Sequence, residues 1–241
     1  RLRLRIEGQA NPMEHVLGLD HTILSTPLYA PHFPHMNAMK IEFARWRFHY
    51  FEPRERMRDV NPVKEVRHIG LMGENLAAFL NTLKETEPRF FRQIEKSLGM
   101  IIPSVTGVEL RRSNFGEVEL RLVEGDVSIS SRVVSEGTLR VLGMLTLKGA
   151  GEPPSLIGIE EPENGVHPRR IRQIATLLES MADDETQFIV TTHSNVLIDA
   201  LPIDVLLACR KVGGKTYIET PRNIGPLSHV DRRTKAEIQK A

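Results

Sequence analysis

A chain of 241 residues can bury a sizeable core, as one large domain or two small ones. With 40% hydrophobic and 26% charged residues and a formal net charge of +1, its composition is ordinary for a globular protein and by itself calls for neither nucleic acid nor a membrane. A single cysteine, Cys209, excludes an internal disulfide framework and a multi-cysteine zinc site and fits a reducing cytoplasm; no apolar run has membrane-spanning length and no signal-peptide pattern is present.

The chain opens without Met in mid-alternation, at Arg1-Leu2-Arg3-Leu4-Arg5-Ile6, so a short strand and further sequence upstream are expected. Pro27, Pro31 and Pro34 punctuate a segment that cannot be regular helix. Ala38–Phe48 predicts a helix with Met39, Phe43 and Trp46 on one side, and Pro53–Pro62 a charged loop holding Arg54, Arg56 and Arg58. Glu74–Glu87 has Leu76, Phe79, Leu80 and Leu83 at helical spacing, and Pro88 suits the first turn of a second helix carrying Phe91, Ile94 and Leu98. The period then falls to two. Val108–Leu110, Val118–Leu122 and Val127–Ile129, separated by Asn114-Phe115-Gly116 and Glu124-Gly125-Asp126, predict an antiparallel meander.

The remaining chain alternates helices with short apolar strands, which indicates an α/β sheet with helical cover. Helices are expected over Glu136–Lys148, Arg169–Met181 and Asn195–Ala200. Strands are expected over Ser155–Ile159, Gln187–Thr192, Val205–Arg210 and Lys215–Thr220, the last two joined at Gly213-Gly214. A division falls near residue 130: residues 1–130 hold the first lobe, helical part and meander, residues 131–226 the α/β part, and residues 227–241 a polar tail.

Three segments carry chemistry. Leu156–Ile159 is an apolar strand that ends in Glu160-Glu161-Pro162. Ligands of open α/β sheets sit beyond the carboxyl ends of strands, and paired acids there divide two tasks: one holds Mg²⁺, the other orients an attacking water. An acidic turn is the plain alternative. A second strand, Phe188–Thr192, also ends in a titratable residue, His193, which can donate to a phosphate oxygen. A solvated loop histidine is the alternative there. Ser135-Glu136-Gly137 precedes an apolar helix; a serine N-cap with free N–H groups can form an anion site, and simple capping is the alternative.

In order and spacing, Ser135-Glu136-Gly137, then Glu160-Glu161-Pro162-Glu163-Asn164-Gly165-Val166-His167, then Thr191-Thr192-His193-Ser194 resemble the motifs of ABC-like AAA ATPases, relatives of SMC, RecF and OLD proteins. The resemblance covers about residues 130–210 and extends more weakly back to about residue 65. It implies a P-loop NTPase-like α/β fold of the ABC/SMC head type, with a helical and antiparallel β-meander subdomain, and ATP with Mg²⁺ as ligands. By motif, it implies that Ser135, Glu136 and Gly137 form the signature loop that contacts nucleotide held by a second subunit. Glu160 would be the Mg²⁺-site acid, where the wider family usually has Asp, and Glu161 the catalytic glutamate. Asn164 and His167 would belong to the loop that crosses a dimer interface, and His193 would be the switch histidine. The resemblance further implies a cytoplasmic homodimer acting on DNA or an effector protein, in phage defence or genome maintenance.

The module also needs Gly-x-x-x-x-Gly-Lys-[Ser/Thr] to cradle phosphates, and these residues contain no such run. Gly213-Gly214-Lys215-Thr216 fails because Cys209 stands where the first glycine belongs. The loop is therefore expected upstream or on another chain, and the isolated chain is expected not to bind ATP tightly. Two non-enzymatic alternatives stay open: an ATPase-fold scaffold and a DNA-binding module. His32-Phe33-Pro34-His35 has metal-like spacing but reads as a proline-rich loop. The arginines between Arg45 and Arg58, with Trp46, Tyr50 and Phe51, read either as a nucleic-acid surface or, because glutamates are interleaved, as a charged loop.

Overall fold

The computed structural model describes residues 2–4, 12–15, 22–25 and 33–220, which fall into two compact units divided between Trp46 and Arg47. In the first unit, β1 (Leu2–Leu4) pairs antiparallel with β2 (Met13–His15), and α1 spans Pro34–Ala44. Pro34 opens α1 at a position where a missing N–H costs nothing, so the proline expected to exclude a helix begins one. The helix expected over Ala38–Phe48 stops at Ala44. Beyond it Trp46 and Phe48 alternate with Arg47 and His49, a period-two pattern of aromatic residues, and Trp46–His49 is strand β3. Phe43 and Trp46 still meet, with ring centroids 4.5 Å apart. Pro27, Pro31, His32 and the tail from residue 227 lie outside the described residues.

In the larger unit, the expected charged loop contains a 3-10 turn, Arg56–Arg58, and the short strand β4 (Asn61–Pro62). Two helices follow, α2 (Leu76–Thr86) and α3 (Pro88–Ile101). In α3 the buried residues are Phe91, Ile94, Leu98 and Ile101, the single stripe that the helical period dictates. β5 (Gly107–Arg112), β6 (Glu117–Glu124) and β7 (Val127–Ser130) form the expected meander, with β6 between β5 and β7 and also paired to β4. Val118, Leu120 and Leu122 alternate into the core from β6.

The α/β part follows. α4 (Glu136–Leu145) is buried from Gly137 to its end and stops three residues short of the expected Lys148. β8 (Leu156–Glu160), α5 (Pro168–Met181) and β9 (Gln187–Thr191) make a strand–helix–strand unit whose strands run parallel, from Leu156 beside Gln187 to Glu160 beside Thr191. α6 (Asn195–Ala200) and a hairpin of β10 (Ala208–Val212) and β11 (Lys215–Glu219) complete the unit. The strand expected over Val205–Arg210 is β10, which begins at Ala208 because Val205 closes a 3-10 turn, Ile203–Val205.

The sheet order is β3-β8-β9. β8 lies between its neighbours, and a Cβ at Gly158 would overlap the Phe48 ring, so only glycine admits this close approach from β3. Among the described residues no strand pairs with the second edge of β9, where exposure alternates and Ile189 is 51% exposed. One hydrophobic core runs from Phe51 and Met57 through α2, α3, the meander and α4 to Ile157 and Ile159 of β8. The division expected near residue 130 thus falls inside this unit.

Candidate active site

β8 buries Leu156 to Ile159 and then exposes Glu160 at its carboxyl end. Glu161 continues the pairing by one rung, its N–H donating to the Thr191 carbonyl at 2.9 Å. Its φ of 43° lies in the left-handed region that non-glycine residues avoid, at a cost of about 1–3 kcal/mol. Such strain persists only where surrounding contacts over-determine it, and here they do. The Asn164 N–H donates to the Glu161 carbonyl at 3.1 Å, and the Asn164 side-chain amide donates to Glu161 Oε2. Glu161 Oε1 stands 3.7 Å from His193 Nε2, an ion-pair distance rather than a hydrogen bond. His193 arrives from the end of β9 with its side chain 93% exposed. The two strand ends therefore bring Glu160, Glu161 and His193 to one sheet edge, as expected from the sequence.

Beneath them lies a pair that sequence reasoning did not assign. Thr192 donates its hydroxyl proton to Glu163 Oε1 and accepts the Ser194 N–H at 2.9 Å. Glu163 is buried, and its Oε2 has no partner. A buried carboxylate oxygen left unmatched is costly, so Glu163 is held for position rather than solvation. The only sequence signal was a third acid within four residues of Glu160.

α4 brings in the third segment. Ser135 Oγ caps the helix by accepting the Thr138 N–H at 3.2 Å and lies 2.7 Å from Thr138 Oγ1. Glu136 Oε1 accepts Arg54 Nε at 2.9 Å. A Cβ on Gly137 would overlap the Gly165 carbonyl oxygen and sit 3.1 Å from Val166 Cα. The start of α4 thus rests backbone to backbone on the turn after Glu161, which the Val166 N–H closes onto the Glu163 carbonyl at 3.0 Å. His167, expected in an interface loop, caps α5 here, its Nδ1 accepting the Arg169 N–H at 3.2 Å.

Arg140, five residues into the same segment, also escaped the sequence analysis. It is 8% exposed, and its Nε and Nη1 have no hydrogen-bond partner. Burial lowers its pKa from the ordinary value, against the opposing charge of Tyr50, Glu136, Glu52 and Glu161. The charge of Arg140 is felt at Glu136 and Glu161, so it lends positive potential to the candidate site. Mg²⁺ takes one or two protein carboxylates plus phosphate and water oxygens, and the exposed Glu160 carboxylate fits that donor set.

A family model described as "AAA domain, putative AbiEii toxin, Type IV TA system" matches residues 26–199, more than half of the chain. Over 75 residues the chain is 39% identical to an ABC transporter ATP-binding/permease protein of Mycobacterium tuberculosis, covering 31% of this chain and 8% of that protein. A structure concerned with ATP-driven dimerisation and DNA-stimulated activation of SMC ATPases is 16% identical, with a TM-score of 0.46 over 58% of this chain and 87% of that one. The SMC head domain from Thermotoga maritima is 18% identical, with a TM-score of 0.40 over 60% of this chain and 51% of that one.

Proposed function

The chain belongs to the AAA domain family so described, and from that premise we propose that it is the hydrolytic and sensing part of an ATP-hydrolysing module of ABC/SMC type. The observation that carries the proposal is the shared edge of β8 and β9, where Glu160, Glu161 and His193 converge and Glu161 is held in a strained backbone state. Glu160 would hold Mg²⁺, whose charge offsets that of the transferring phosphate oxygens. Glu161, steadied by Asn164, would orient the attacking water and accept its proton. The exposed His193 ring would donate to the terminal phosphate and report its presence to α6 through Ser194, the residue that caps it.

These residues do not include a phosphate-cradling loop. We infer that the loop comes from another segment or chain, and the edge of β9 that no strand pairs among the described residues is a suitable place for a further strand bearing it. Two copies would then close two composite sites, the Ser135-Glu136-Gly137 loop of one facing nucleotide on the other. Asn164 and His167 would lie in the loop at that interface. Opening and closing would act on DNA or on an effector protein, in the cytoplasm, in phage defence or genome maintenance. The absent loop favours a second reading, a non-hydrolysing scaffold; a scaffold, however, has no use for a strained glutamate beside a histidine.

The test is ATP hydrolysis by this chain alone and within the longest upstream-extended gene product, with Glu161→Gln as control. Hydrolysis in the extended protein, lost on substitution with nucleotide still bound, is expected. Hydrolysis unchanged in Glu161→Gln, or none in either form, would sink the proposal and leave the scaffold.

A further inference from the structure

The turn at Arg56–Arg58 builds a second polar site. A cavity of about 510 Å³ is lined by Arg54, Glu55, Arg56, Arg58, Asp59 and Arg132. That size falls within the range of small-ligand sites, about 300–1,000 Å³. Four guanidiniums against two carboxylates give its lining an excess of positive charge.

The frame is rigid. Phe51, Pro53 and Met57 are buried, which pins the turn to the core. The Glu52 carboxylate accepts the N–H groups of Arg54, Glu55 and Arg56 at 3.1, 2.8 and 3.1 Å. Burial raises the Glu52 pKa, but those three donors outweigh it and hold the carboxyl below its ordinary value. Arg58 stitches the turn to the Ser131–Val133 turn: Nε donates to the Pro53 carbonyl at 2.6 Å, and Nη1 donates to the carbonyls of Ser131 and Arg132. The Ser131 hydroxyl returns a bond to the Arg58 carbonyl at 3.0 Å.

With Arg58 so committed, the other three arginines line the cavity with donors in hand. The side chains of Arg56 and Arg132 make no hydrogen bond or ion pair to described residues. Arg54 uses only Nε, on Glu136 at the start of α4. Converging guanidiniums repel one another unless an anion joins them, and planar N–H forks match phosphate oxygens.

We propose that this cavity binds a phosphate chain, supplied by a free polyphosphate or by the backbone of a nucleic acid, and that its occupancy is relayed to the start of α4 by competition with Glu136 for Arg54. The site does not depend on the ATPase reading, since none of its lining residues has a part in that chemistry.

The chain is titrated with inorganic tripolyphosphate by calorimetry. Saturable binding is expected, weakened about tenfold or more by Arg56→Ala with Arg132→Ala, two exposed residues whose loss leaves the core intact. The charge-matched pair Arg89→Ala with Arg92→Ala, exposed on α3, should leave affinity within about twofold. Glu136→Gln should tighten binding severalfold by freeing Arg54. An oligothymidylate that displaces tripolyphosphate, with the same sensitivity to Arg56 and Arg132, marks nucleic-acid backbone as the source; failure to displace it marks a free polyphosphate. Absence of saturable tripolyphosphate binding, or equal weakening by both arginine pairs, overturns the site. Unchanged affinity in Glu136→Gln overturns the relay.

Discussion

Gly137→Ala places one methyl group where the start of α4 meets the turn after Glu161. In an exposed helix this change stabilises by about 1 kcal/mol, because alanine loses less backbone entropy than glycine. Here the new Cβ would overlap the Gly165 carbonyl oxygen, with Gly165 C and Val166 Cα both at 3.1 Å. Backbone atoms cannot rotate aside, so the contact is relieved only by separating two segments, an overpacking cost of about 1–3 kcal/mol. The net expectation is a loss of about 1 kcal/mol, the middle of that cost less the gain, read as a lower urea midpoint with unchanged slope. Gly143→Ala in the same helix is the internal control. Its Cβ would meet the Met57 methyl at 2.7 Å and the Phe51 ring at 3.1 Å. It too is crowded, but against side chains, one of them a flexible thioether that can change rotamer. If the protein hydrolyses ATP as proposed, Gly137→Ala should lower turnover more than nucleotide affinity, since it moves Ser135 relative to Glu161. A Gly137→Ala protein as stable as the parent, or less affected than Gly143→Ala, would refute the claim that backbone contact seats α4.

Glu161→Ala keeps the Cβ in the left-handed region and Glu161→Gly removes it, so the glycine variant should be more stable by about 1 kcal/mol, although both should abolish the proposed hydrolysis; equal stability would show that no strain is relieved there. Thr192→Ala and Glu163→Ala should be non-additive, with a coupling of about 1–3 kcal/mol in a double-mutant cycle, because the hydroxyl's partner is a buried carboxylate. Burial holds the pKa of His49 down at about 4 against 6.5, with Arg47 and His68 adding to it and the Gly70 carbonyl opposing. Below 6.5 the unfolded chain takes up a proton that the folded chain refuses, so stability falls with pH until about 4. About 2 kcal/mol should be lost between about pH 7 and pH 5, and a flat profile in chemical denaturation would contradict it.

The strand ends were legible because each is marked twice in the sequence, by an apolar run and by an abrupt acid or imidazole. β3 was not, since Met39, Phe43 and Trp46 satisfy helical spacing while Trp46 and Phe48 satisfy strand spacing, and only β8 decides between them by offering Gly158 as a seat for Phe48. The Thr192–Glu163 bond spans 29 residues, and Arg58 reaches carbonyls 73 and 74 residues away. Pairings of that range belong to tertiary structure. For the same reason the arginine segment read as a charged loop, although its buried Phe51 and Met57 make it a wall.

Ser135 joins stability to chemistry, and the two can be separated. A serine hydroxyl has one proton and two lone pairs. The Thr138 N–H takes one lone pair, and the Thr138 hydroxyl, 2.7 Å away, can fill the other by donating. In that arrangement the serine proton is left for an outside acceptor, so the cap does not disable the residue as a phosphate donor. Ser135→Ala removes cap and donor together and should cost about 1 kcal/mol of stability. Ser135→Asp caps as well as serine but offers no proton and brings a negative charge. It should melt with the parent yet fail, like the alanine variant, to support nucleotide-dependent association of the assembled protein. If the aspartate variant associates with nucleotide as the parent does, Ser135 is a cap and nothing more, and the anion site at the start of α4 has to be given up.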